Sequence, residues 1–78
     1  MAIIMYTTPT SPWCQKARDY FKTKKIKFEE RDINEEEKYR DEILEKTSQM
    51  AVPVLQIGNE IIIGFFEDQI QQALQKAN

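Results

Sequence analysis

The sequence predicts an α/β fold: a four-stranded mixed sheet flanked by three helices, in the order β-α-β-α-β-β-α. Three observations carry that reading. An apolar run at residues 2–7 ends in Thr8-Pro9-Thr10, and Ser11-Pro12 then opens a helix. Two strand-like runs flank Gly58-Asn59, a pair suited to a tight hairpin turn. Ile70, Ala73, Leu74 and Ala77 recur at i, i+3, i+4 and i+7, the stripe of an amphipathic helix.

Each element has a local cause. Ala2-Ile3-Ile4-Met5-Tyr6-Thr7 is nearly continuous in apolar character, the pattern of a strand covered on both faces. Ser11 is a good N-cap, and Pro12 at the first helical position gives up an amide hydrogen that has no partner there. Cys14, Ala17 and Phe21 fall on one face of that helix, with Tyr20 beside them. Lys22, Lys24 and Lys25 close its last turn, where cations complement the dipole. Residues 27–33 form a more polar strand, expected at a sheet edge. Asn34, with Glu37 three residues on, reads as a variant capping box for a second helix. That helix turns only Tyr39, Ile43 and Leu44 inward and is expected to be the most solvated. Strands at residues 52–57 and 60–63 make the hairpin, and the Ile70 stripe closes the order. The first βαβ unit should be a right-handed crossover with parallel strands, and the hairpin adds an antiparallel pair. Residues 1–78 read as a single domain with no repeat or linker.

The bulk properties narrow the function. The formal charge is −2, so nothing electrostatic points to nucleic acid or an anionic membrane as partner. The basic stretch at residues 22–27 and the acidic one at 35–37 read as solvated helix ends. No apolar run approaches the length of a membrane-spanning helix, and the first residues are too short and lack the basic flank for a signal peptide. A cytoplasmic monomer is the expectation. One cysteine excludes an internal disulfide, and no second cysteine or histidine is available for a zinc site, so no metal is expected.

That cysteine stands in the first turn of a helix, where unpaired amides and the positive end of the dipole stabilise a thiolate. The N-cap benefits most, and here it is Ser11, with Cys14 turned partly into the helix. Helix position alone makes Ser11 a capping residue and Cys14 a small buried hydrophobe.

The wider context adds to this. The segment from Tyr6 to Ala17, with Ser11-Pro12-Trp13-Cys14 at its centre, resembles the active site of glutaredoxins and glutaredoxin-like redoxins. Gln49-Met50-Ala51-Val52-Pro53-Val54 resembles the family's Val-Pro block, and Gly64-Phe65 a third block before the last helix. The likeness spans essentially the whole chain. It implies a thioredoxin fold and a small disulfide oxidoreductase or electron carrier with no bound cofactor. It places the attacking sulfur at Ser11 and the resolving one at Cys14. It also implies a groove for peptide or glutathione bordered by Thr8, Pro12, Trp13, Gly64 and Phe65. Pro53 is then expected to be cis, with the backbone of Val52 pairing with the bound peptide. A serine hydroxyl is a poor nucleophile toward sulfur and no histidine is present to activate it, so the chain as written lacks the dithiol cycle.

Two origins fit Ser11: replacement of a cysteine or selenocysteine, which the completeness of the other blocks favours, or a natural variant acting through Cys14 or without catalysis. The sequence also departs from glutathione-using members. Thr8 and Met50 stand where basic residues often sit, and Ile63-Gly64-Phe65-Phe66 replaces a Gly-Gly pair followed by a small polar residue. Losing two cationic contacts to an anionic ligand costs about 1–3 kcal/mol. Glutathione thus remains one candidate reductant. The other is a flavoenzyme of the thioredoxin-reductase type, with ribonucleotide reductase or another protein disulfide, or a glutathione mixed disulfide, as substrate. A non-catalytic module that binds extended peptides at the Val52-Pro53 edge is the rival from another class.

Overall fold

Ile3–Thr7 (β1) can be apolar on both sides because both sides are covered. In the computed structural model, which describes residues 2–77, β1 lies between Glu29–Asp32 (β2) and Val54–Ile57 (β3), with Glu60–Ile63 (β4) beyond β3. The β1–β2 pair is parallel; the β1–β3 and β3–β4 pairs are antiparallel. Three helices, Pro12–Thr23 (α1), Glu37–Thr47 (α2) and Glu67–Ala77 (α3), complete the expected order.

Side chains alternate across a strand, so β1 feeds two cores. Ile3 and Met5 join Leu55, Ile57 and Ile62 on the face covered by Ala17 and Phe21 of α1 and Ile70 and Ala73 of α3. Tyr6 and Val54 meet Ile33 and Ile43 on the face covered by α2. The register matches: Met5 stands opposite Leu55, and Tyr6 opposite Val54. The second core is smaller and partly polar. Tyr6 is fully buried, and its hydroxyl donates to Glu42 Oε1 at 2.7 Å while accepting from Lys46 Nζ at 2.9 Å and Arg31 Nη1 at 3.2 Å. Tyr6 first, then Arg31, holds the Glu42 carboxyl below its ordinary range, against partial burial.

The second strand is Glu29–Asp32, shorter than the expected 27–33, and three further details differ from the sequence expectations. The third strand begins at Val54 rather than Val52, because Val52 and Pro53 form a bend whose peptide bond is cis, as expected for this block. Asn34 does not cap α2: the N-cap is Glu36, without a side-chain cap bond. Asn34 is diverted, its N–H donating to Asp32 Oδ1 at 2.8 Å and its Oδ1 accepting from Arg40 Nη2 at 3.0 Å. Leu44 points outward, leaving Ile43 as the buried residue of α2.

The end of α1 is a Schellman turn. Ile26 N–H donates to the Phe21 carbonyl at 2.9 Å and Lys25 N–H to that of Lys22 at 3.1 Å, with Lys25 at φ 58. A left-handed conformation disfavours any residue with a Cβ. Lys25→Gly should therefore stabilise the fold by about 0.5 kcal/mol, after the extra freedom glycine gives the unfolded chain. The melting temperature should rise by ~2–4 °C; an unchanged or lower value in calorimetry would contradict this account.

Candidate active site

The first turn of α1 begins where β1 ends. Ser11 has extended backbone, and its Oγ accepts the Cys14 N–H at 3.4 Å, a long bond that leaves the cap weakly made. The first turn of α1 carries no acidic residue, whereas α2 has Glu37 and α3 has Glu67 and Asp68. The positive end of α1 is thus directed at position 11 without a neighbouring carboxylate to offset it. Cys14 is completely buried beside Ala17 and Phe21, and its thiol is free.

A polar bracket fixes this turn against the sheet. Arg18, one helical turn beyond Cys14, grips Glu30 of β2 through Nε at 2.9 Å and Nη2 at 2.6 Å, and reaches Gln15 Oε1 at 2.8 Å. Thr7, buried at the end of β1, donates its hydroxyl to Glu30 Oε2 at 2.7 Å. The Arg18 guanidinium, more than the Thr7 hydroxyl, holds the Glu30 carboxyl below its usual range, while partial burial works against it. β1, β2 and α1 are therefore joined at one point beneath the Ser11–Cys14 turn.

Beside that turn lies a cleft of about 220 Å³, lined by Trp13, Val52, Pro53, Gly64, Phe65 and Phe66. Its two backbone walls are tied together, since Gly64 N–H donates to the Pro53 carbonyl at 2.8 Å. Gly64 is required twice over: its φ is +101, and a Cβ there would stand 2.8 Å from Phe66 Cε2. Trp13 is half exposed at the rim, with the Lys16 ammonium 4.5 Å from its ring centroid.

The structure brings Trp13, Val52, Pro53, Gly64 and Phe65 into one cleft. Ser11, Pro12 and Cys14 form the helical turn that carries Trp13 there but do not line it. Thr8, partly buried in the loop between β1 and α1, stays outside it. Phe65 packs against the larger core while Phe66 stands 53% exposed on the cleft wall, so only one of the pair serves the interior. Sequence reasoning passed over the Thr7–Glu30–Arg18 bracket, whose single local signal is a polar residue ending an apolar run.

Comparison with known proteins agrees with this fold. The family model for glutaredoxin matches residues 3–62. An uncharacterized glutaredoxin-like protein in the rubredoxin operon of Clostridium pasteurianum is 38% identical over 74 residues, covering 95% of this chain and 99% of its own. Among solved structures, a glutaredoxin of Archaeoglobus fulgidus superposes with a TM-score of 0.87 at 22% identity, over 96% of this chain and 88% of that one. The methanoredoxin of Methanosarcina acetivorans superposes at 0.82 with 28% identity, over 94% and 83%.

Two outcomes follow from the site itself. Because the folded pKa of Glu30 is depressed, its contribution is fully present above its unfolded value, about 4.3, and is lost as pH falls through the folded value. Glu30→Gln should cost about 1–2 kcal/mol at pH 7, after allowing for its partial exposure, and urea unfolding should show the gap to wild type closing as pH drops below about 4. A gap independent of pH would mean that the charge of Glu30 does not matter. Separately, a thiol reagent should modify Cys14 far more slowly in the folded chain than in urea, since the sulfur is wholly covered. Labelling at equal rates would show that the first turn opens readily.

Proposed function

The chain belongs to the glutaredoxin family, and we propose that its site is shaped for thiol–disulfide exchange, with oxygen standing at the attacking position, Ser11. The observation that carries this reading is the placement of position 11. Its side chain sits at the uncompensated N-terminus of α1, on the amide of Cys14, and two residues before the Trp13 wall of the cleft. A sulfur there would accept the Cys14 N–H and be favoured as thiolate by the helix end.

With sulfur at position 11 the exchange balances. The thiolate attacks one sulfur of a disulfide, forming a mixed disulfide and expelling the other sulfur as thiolate. Cys14, deprotonated, then attacks Sγ of residue 11, releasing the substrate's second thiol and leaving an 11–14 disulfide. Two electrons pass from the dithiol to the substrate, and an external reductant restores the dithiol. Glutathione and a flavoenzyme of the thioredoxin-reductase type are the donors proposed, with a protein disulfide or a glutathione mixed disulfide as substrate. With Ser11 the first step has no nucleophile and Cys14 is sealed. The present chain therefore offers the binding surface without the dithiol cycle.

The partner's backbone has a place to pair. Among the described residues, neither the N–H nor the C=O of Val52 finds a hydrogen-bond partner, which suits an extended peptide added alongside.

Ser11→Cys should reduce a small mixed disulfide or a protein disulfide, with a potential of roughly −200 to −270 mV. Assays with glutathione and with a flavoenzyme donor, run in parallel, distinguish the two reductants. No thiol-dependent reduction with either donor would overturn the exchange reading and leave a peptide-binding module.

A further inference from the structure

We propose that the groove between α1 and the start of α3 seats an extended polypeptide segment of the disulfide-bearing partner, and that the Tyr20 hydroxyl recognises it. The inference rests on the exchange reading only for the partner's identity as a disulfide protein.

The groove, about 930 Å³, continues from the cleft, because Trp13, Phe65 and Phe66 line both. A chain lying against Val52 and Pro53 therefore runs on into it. Its α1 wall extends from Trp13 to Lys24. That is roughly 16 Å at about 1.5 Å per helical residue. An extended chain advances about 3.3 Å per residue, so the wall takes roughly five residues, more than a tripeptide such as glutathione spans.

Charge points the same way. Lys16 and Lys24 stand on the α1 wall, together with Asp19, whose carboxylate is engaged by Gln15 at 2.9 Å. Glu67 and Asp68 face them from the first turn of α3. Those two acids already occupy the positive end of α3, so an anionic ligand gains little there. A segment carrying an acidic side chain toward α1 and a basic one toward α3 complements both walls.

Tyr20 supplies the specific contact. Its ring packs edge-on against Phe21 and Phe65, at centroid distances of 5.5 and 5.7 Å. Its hydroxyl is shielded from water and bonds to nothing among the described residues. Phenylalanine would make the same ring contacts without burying an unpaired polar atom, so the fold alone gives no reason for the oxygen. The exposed side chain of Lys24 lies over this ring, 5.1 Å from its centroid, and can swing aside. A backbone group of the seated segment would then complete the hydroxyl.

Trp13 is the sole tryptophan and reports on the groove by fluorescence. The probe is unfolded insulin B chain with its cysteines S-methylated, titrated into the unaltered protein and into Tyr20→Phe. The expected result is a saturable change in Trp13 emission whose dissociation constant rises about 5–10-fold in Tyr20→Phe, while that variant melts no lower than wild type. Absence of a saturable response, equal affinity in the variant, or a lower melting temperature would overturn the inference. The probe carries no reactive sulfur, so the outcome is independent of Ser11→Cys. Tyr20-dependent binding beside an inactive Ser11→Cys would remove the exchange reading alone, and the reverse pattern would remove the groove alone.

Discussion

Because β1 must be covered on both faces, α1 and α3 share one side of the sheet and α2 takes the other, and the position of everything else follows. Only residues 8–11 separate the end of β1 from the start of α1. Ser11 therefore follows closely on the C-terminal end of an interior strand, and Cys14 turns inward with Ala17 and Phe21 because the helix has to bury that stripe. The same packing turns Trp13 outward. The division between a sealed sulfur and an open rim is thus a consequence of core formation, as much as of any demand of chemistry.

The two cores differ in how they are completed. The α1–α3 side closes with aliphatic and aromatic side chains, including the Phe21–Phe28 and Tyr20–Phe65 contacts. The α2 side has one helix with a single fully buried residue, and it closes with the Tyr6–Glu42–Arg31–Lys46 network. Such a network stabilises only when each member is satisfied. Here the buried hydroxyl has one acceptor and two donors around it, which is its full capacity.

Much of this was legible in the sequence because its causes are local. The unbroken apolar run, the Ser11-Pro12 start and the Gly58-Asn59 turn each act within a few residues, and all three elements appear where they were expected. The cleft residues were legible through resemblance, as blocks of short sequence that the fold brings together. Asn34 misled because its side-chain oxygen is taken by the Arg40 guanidinium, six residues on, a pairing that no local pattern marks. The Thr7–Glu30–Arg18 bracket and the orphaned Tyr20 hydroxyl were invisible for a different reason. They depend on partners twelve or more residues away, or on the lack of one, and no period in the chain encodes that.

The bond from Gly64 N–H to the Pro53 carbonyl joins main chain to main chain, so two walls of the cleft are held together without any side chain. Trp13 and Phe66, both half exposed, hang on that frame, whereas Phe65 is tied into the larger core. Substitution at either exposed position reshapes the open side of the cleft while leaving the spacing of its two backbone walls alone. A lineage carrying this frame can vary the contour of its cleft by point mutation, one rim residue at a time, without first risking its architecture.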